Sequence, residues 1–202
     1  MSDIESLLRG GPAVEGTALE AAQRFSERAA QRRLADVAYS VIDSPVGTLL
    51  LAQTPRGLAR VAYLDRSSEG AVLEQLAGAL SPRIVWAPGA LDDVRRELDE
   101  YFAGQRQTFD LALDWRLTGP FARRVLRATA AIPYGGVSDY GAIAARAGSP
   151  RGARATGNAL GANPIPIVVP CHRVLRHGGA LGGYGGGPER KRELLALEGA
   201  IT

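Results

Sequence analysis

Cysteine is almost absent from this chain: Cys171 is the only one among 202 residues. A single thiol excludes an intramolecular disulfide and fits a reducing compartment. Histidine is limited to His172 and His177, so a cysteine-rich structural zinc site is excluded too, and no metal is expected. No apolar run approaches the ~20 residues that span a bilayer, and the N-terminus lacks a basic-then-apolar signal pattern. A cytoplasmic location without membrane contact is the expectation. Aromatics are sparse at 6%, yet 46% of the chain is hydrophobic, enough for a core in one or two domains.

Acidic residues are scarce towards the C-terminus. From Arg116 onward there are 12 Lys/Arg against 4 Asp/Glu, a net of +8, while the first 115 residues hold 12 basic and 17 acidic side chains, a net of −5. A basic half joined to an acidic half fits an electrostatic footprint for a polyanion. It fits a merely soluble basic surface equally well.

Residues 1–36 read as an N-terminal extension. Thr17 with Glu20 forms a capping-box pattern, and Leu19, Ala22, Phe25 and Ala29 lie near helical spacing, which predicts an amphipathic helix reaching to Leu34. From Val37 the pattern changes to strands: Val37–Ile42, Gly47–Gln53 and Gly57–Leu64 are apolar runs broken by the turn sequences Ser44-Pro45-Val46-Gly47 and Thr54-Pro55-Arg56-Gly57. A helix over Ser68–Leu80, a short strand near Arg83–Ala87 and an amphipathic helix carried by Leu91, Val94, Leu98 and Phe102 come next. Thr108–Leu113 reads as a final strand or extended segment. Tyr39, Trp86 and Trp115 are read as core or interface residues. Residues 37–115 thus make a small α/β domain. Residues 116–202 turn helical, with a helix marked by Phe121, Val125, Leu126 and Ala128, then two short helices, Tyr140–Ala147 and Arg151–Leu160. The break between those two is Gly148-Ser149-Pro150, which makes the pair a helix-turn-helix candidate.

Within that half lies Pro170-Cys171-His172-Arg173-Val174. A free thiol with a pKa near ~8.5 is only slightly ionised at neutral pH, and a neighbouring imidazole or cation raises that fraction. His172 and Arg173 supply both kinds of neighbour. The pair on its own also fits a buried structural cysteine acting as a small hydrophobe. The wider stretch decides: Asn163-Pro164-Ile165-Pro166-Ile167-Val168-Val169-Pro170-Cys171-His172-Arg173-Val174, a glycine-rich loop and then Glu198 resemble the active-site signature of the O6-alkylguanine-DNA alkyltransferases. The resemblance covers roughly 118–202 and, more weakly, the residues before it.

That resemblance implies a ribonuclease-H-like α/β N-terminal domain with a small, mainly antiparallel sheet, and an all-α winged helix-turn-helix C-terminal domain whose second helix enters the minor groove. It implies a monomer acting on double-stranded DNA that carries O6-alkylguanine, with no cofactor. Activity on O4-alkylthymine and cooperative assembly on DNA stay open. Cys171 would accept the alkyl group, His172 would take its proton through a bound water, Glu198 would orient the imidazole and Asn163 would hold the turn. Arg154 would be the finger filling the vacated base stack, Arg151 a phosphate contact, with Ala153 and Gly157 small enough for close approach to the groove. Tyr140 and Tyr184 would contact the extruded base, Leu160 and Pro166 would wall its pocket, and backbone groups at Val174 and Gly185 would read its edge. The thioether product has no ready route to hydrolysis, so each chain would act once.

Two positions depart from the family pattern: Asp139 stands where relatives carry Ser or Thr, and Ala162 where they are often basic. A non-catalytic lesion binder is disfavoured by Cys171 itself, and a phosphotriester-sensing regulator by the missing metal ligands. A conventional cysteine hydrolase would need separate His and Asn/Asp partners.

Overall fold

Runs of leucine and valine cut by tight turns build the first sheet. In the computed structural model, which describes residues 35–201 together with Glu20 and Ala21, β1 (Val37–Ile42), β2 (Leu49–Thr54), β3 (Gly57–Tyr63) and β4 (Ile84–Trp86) form a sheet of order β3-β2-β1-β4. The β1–β2 and β2–β3 pairs are antiparallel and β1–β4 is parallel. Apart from helical Glu20 and Ala21, the helix expected between Thr17 and Leu34 lies outside the described residues.

Side chains alternate across a strand, and β2 shows it. Leu49 and Leu51 join one core, Leu50 and Ala52 the other. Helix α1 (Glu69–Ala79) covers the second face with Val72 and Leu76, after Ser68 caps it by accepting the Ala71 amide at 3.3 Å. The first face packs against α2 (Asp92–Phe102) and against apolar residues of the C-terminal half, among them Val125, Ile143 and Leu194. One core therefore runs through both halves of the chain.

Thr108–Leu113 is irregular rather than a strand; its one bridge joins Leu113 to Leu58 in parallel. The Ala112 carbonyl accepts the Leu58 amide at 2.8 Å, and a Cβ at Gly57 would sit 2.1 Å from that oxygen. Only glycine allows the chains to approach so closely. Trp86, expected in the core or an interface, lies at the sheet edge and is 38% exposed, which leaves only the interface alternative.

The C-terminal half carries α3 (Pro120–Ala130), α4 (Tyr140–Arg146), α5 (Ala153–Gly161) and α6 (Pro188–Leu197), with α3, α4 and α5 packed on one another. It is not strictly all-α: β5 (Ser138–Asp139) and β6 (Val174–Leu175) form a two-residue parallel ladder. That ladder ties the start of α4 to the segment just after Cys171. Among the described residues, no helix is long and apolar enough to cross a membrane.

Candidate active site

The segment from Asn163 to Arg173 has little regular structure and is held by one side chain. Asn163 donates from Nδ2 to the Val169 carbonyl at 2.9 Å and to Cys171 Sγ at 3.1 Å, while its Oδ1 accepts the Ile165 amide at 3.0 Å. Between these anchors, Ile167 adopts φ 74° although its side chain is fully buried. A β-branched residue in that region costs on the order of 1–3 kcal/mol and persists only where its surroundings enforce it. The following 3-10 turn, Cys171–Arg173, buries all three of its side chains.

Cys171 is 5% exposed, and burial pushes its thiol up to about 11; the Asn163 hydrogen bond and the Lys191 charge oppose this without reversing it. Burial thus outweighs the neighbours that the sequence offered as raising the ionised fraction. Neighbouring cations do not win here, because Arg173 is spent elsewhere: its Nε and Nη2 donate to Glu198 at 2.8 and 2.9 Å, and its Nη1 donates to the Ile132 carbonyl at 2.6 Å.

Glu198 is the hub of this buried cluster. Besides Arg173 it binds His172 Nε2 at 2.8 Å and accepts the Tyr101 hydroxyl at 2.7 Å. Burial alone would raise its pKa, but the hydrogen bonds from His172, Arg173 and Tyr101 outweigh that and hold the carboxyl down at about 2. Burial lowers the His172 pKa despite the carboxylate. A neutral imidazole that donates Nε2–H to Glu198 leaves a lone pair on Nδ1. That Nδ1 is buried with no partner among the described residues. Imidazole, carboxylate and thiol thus sit on adjoining residues and one facing helix end.

Cys171, Asn163, Leu160, Pro166 and Gly185 line one cavity of about 160 Å³. Its far wall comes from the N-terminal sheet, including Tyr63. Tyr184 lies alongside, its hydroxyl 2.8 Å from that of Tyr63 and its ring edge-on to both Tyr63 and His172. A Cβ at Gly186 would come within 2.7 Å of both tyrosine rings. Gly186→Ala should therefore lower stability by about 1–3 kcal/mol through overpacking, read as a lower urea midpoint at unchanged slope.

Tyr140 opens α4 and reaches the Gly183 carbonyl at 3.5 Å. Asp139, the departure noted above, is the cap of that helix: its Oδ1 accepts the Gly141 and Ala142 amides at 2.8 and 2.9 Å. A serine or threonine would cap the same way, so the carboxylate is occupied locally. The Val174 carbonyl accepts Lys191 Nζ at 2.6 Å, leaving one of its two lone pairs for any ligand. Arg151, Ala153 and Arg154 are exposed at the N-terminal end of α5, outside the cavity, whereas Leu160 at the other end of that helix lines it. Gly157 lies beside the Tyr140 ring with room for a methyl group.

Three residues of the site have no signature in the sequence motif. Tyr101 and Tyr63 reach in from α2 and β3, and Lys191 is fully buried on α6 with its pKa lowered to about 8, chiefly by burial. Only Tyr101 left a trace: it follows Leu98 by three residues and shares its buried stripe.

Comparison with known proteins finds relatives across both halves of the chain. Residues 37–115 match the 6-O-methylguanine DNA methyltransferase ribonuclease-like domain, and residues 120–200 the DNA-binding domain of the same family. The methylated-DNA–protein-cysteine methyltransferase of Mycolicibacterium paratuberculosis is 44% identical over 164 residues, which is 80% of this chain and 92% of that one. The crystal structure of Mycobacterium tuberculosis OGT in complex with DNA superposes with a TM-score of 0.70 at 43% identity, covering 80% of this chain and 92% of that one. The O6-methylguanine-DNA methyltransferase of Pyrococcus kodakaraensis gives 0.56 at 25% identity over 81% and 99% of the two chains.

Proposed function

Because this chain belongs to the 6-O-methylguanine DNA methyltransferase family, we propose that it reverses O6-alkylation of guanine in DNA by moving the alkyl group irreversibly onto Cys171. One observation carries the assignment of the acceptor. The only thiol lines a cavity, next in the chain to an imidazole whose Nδ1 has no partner among the described residues and whose other nitrogen is fixed by a carboxylate.

The resting thiol is neutral, so activation is a proton transfer made during the reaction. A water between sulfur and His172 Nδ1 takes the thiol proton and passes one to the imidazole. Glu198 then faces an imidazolium, which it stabilises as an orienting carboxylate does in a catalytic triad. The thiolate attacks the alkyl carbon and the C–O6 bond breaks with its electron pair on oxygen. Guanine regains the proton at N1. The thioether left on Cys171 has no leaving group for water, so the chain is consumed.

A stacked guanine cannot meet a buried sulfur. The nucleotide must be turned out, at a cost of a few kcal/mol. In this reading α4 and α5 are the helix-turn-helix of a winged domain, the N-terminal sheet has a ribonuclease-H-like arrangement, and α5 enters the minor groove of duplex DNA bound by a monomer. Arg154 fills the vacated stack, Arg151 contacts phosphate, and Ala153 and Gly157 permit close approach. Tyr140, Tyr184, Leu160 and Pro166 enclose the extruded base, with backbone groups at Val174 and Gly185 on its edge. α5 links the two tasks, since Arg154 and Leu160 are six residues apart, a rise of about 9 Å along one helix.

Arg154→Ala separates wedge from chemistry. Transfer from an O6-methylguanine duplex should fall about tenfold or more, while attack on free O6-benzylguanine changes less than about twofold, since no stack needs replacing there. Equal losses on both substrates would remove the wedge role. The reading as a whole is tested by titrating a lesion-bearing duplex with protein: repair should stop at one lesion per chain.

A further inference from the structure

Tyr184, assigned to the wall of the base pocket, gets little support from its own backbone. It lies in irregular structure with Gly182 and Gly183 before it and Gly185, Gly186 and Gly187 after it, and glycine constrains a chain least. A turn closed by the Gly187 amide on the Tyr184 carbonyl at 3.0 Å sets the backbone but not the ring. The ring is met from the other half of the chain. Tyr63, at the end of β3, is 5% exposed and places its hydroxyl 2.8 Å from that of Tyr184. The Tyr184 ring stands edge-on to Tyr63 and to His172, 6.3 Å from each between centroids. Burial raises both phenols above their ordinary value, so each stays protonated and the pair is a neutral hydrogen bond. Tyr63 is braced in turn by Arg190 of α6. That guanidinium lies over its ring, 4.6 Å from the centroid, and donates to the Val46 carbonyl, to Asp65 at 2.9 Å and to the Gly186 carbonyl at 2.9 Å. One side chain thus joins the β1–β2 turn, the end of β3 and the glycine-rich loop.

We infer that Tyr63 is a positioning residue for alkyl transfer: its hydroxyl holds the Tyr184 ring in place and so sets how often the cavity at Cys171 is ready for an extruded base. The inference rests on the alkyl-transfer reading and gives the N-terminal half a part in it. Tyr63 acts through Tyr184 and exchanges no proton or alkyl group. A tyrosine released among five glycines can turn towards the 160 Å³ cavity, and a displacement of about 1 Å near reacting atoms can cost roughly a hundredfold in rate. The observed rate then scales with the fraction of chains in which the ring is aligned.

Tyr63→Phe keeps the ring that Arg190 and Gly186 pack against and removes the hydroxyl alone. Single-turnover methyl transfer from an O6-methylguanine duplex should slow about five- to tenfold, the scale of one hydrogen bond lost to a buried hydroxyl. Affinity for undamaged duplex should stay within about twofold, and the end point at one methyl per chain, since the fold and the DNA contacts are kept. Tyr184→Phe should slow transfer at least as much. Adding Tyr63→Phe to it should cost less than about a further twofold, because the partner is already gone. A merely structural role would instead lower the end point or the melting temperature and leave the rate constant alone. An unchanged rate constant in Tyr63→Phe, or the same fall in the Tyr184→Phe background, overturns the inference. If the wild-type protein transfers methyl and Tyr63→Phe matches it, only the part given to Tyr63 fails; if the wild-type protein transfers nothing, the alkyl-transfer reading fails with it.

Discussion

Glu198→Gln should slow alkyl transfer about a thousandfold or more while leaving duplex affinity within about twofold, because the change removes an orienting carboxylate and touches no DNA. Three groups depend on that carboxylate: His172 at 2.8 Å, the Arg173 fork at 2.8 and 2.9 Å, and the Tyr101 hydroxyl at 2.7 Å. An amide offers one acceptor and one donor where the carboxylate offers only acceptors. Its NH₂ set against Nε2 would force the proton onto Nδ1, the atom that has to receive the thiol proton. The same change leaves buried Arg173 without its counter-charge, which costs on the order of 3 kcal/mol, so the melting temperature should fall along with the rate. Unchanged kinetics would refute the orienting role.

The pH behaviour follows from the same contacts. The Glu198 carboxyl, held at about 2 against an ordinary 4.5, contributes stability that is complete above 4.5 and is lost as pH falls towards 2. The buried neutral His172, its pKa lowered, acts in the same sense: below 6.5 the unfolded chain takes up the proton first, so acid favours unfolding. Acid denaturation should therefore begin below about pH 6.5 and steepen below about 4.5, and Glu198→Gln should flatten the steeper part.

Cys171→Ser should abolish transfer, with a loss of at least about a thousandfold, because a hydroxyl is a far weaker nucleophile than a thiolate and resists deprotonation far more strongly. Sulfur and oxygen differ little in shape, and the Asn163 amide can donate to either at the 3.1 Å contact. The protein should fold and bind duplex much as before. A gel-shift assay beside a single-turnover assay separates the two outcomes: binding kept and repair lost supports Cys171 as acceptor, whereas loss of both would point to damage in the fold.

Much of this site was legible from the chain alone, and for local reasons. Leucine and valine runs between turn sequences placed β1 to β3, and Leu91, Val94 and Leu98 placed α2. The stretch Asn163 to Val174 with Glu198 marked the candidate nucleophile and its expected partners, and the structure hydrogen-bonds Asn163 to Cys171 and His172 to Glu198. What stayed hidden depends on packing between the halves. Tyr63 and Tyr101 act across the shared core, and nothing in a strand or helix pattern says which tyrosine will face a carboxylate or another phenol more than ninety residues away. Lys191 reads as a surface charge until α6 buries it. The resting state of the thiol was hidden for the same cause: adjacency to His172 and Arg173 offered charged neighbours, but burial and the capture of Arg173 by Glu198 leave the sulfur neutral at rest. The part played by Asp139, a departure whose effect the sequence left undecided, is that of a helix cap.

Mass spectrometry after incubation with excess O6-methylguanine duplex bears most directly on the central claim. Intact protein should gain one methyl group and no more, and peptide fragmentation should place it on Cys171. Methyl on any other residue, or lesions cleared in many-fold excess over protein that stays unmodified, would contradict the account.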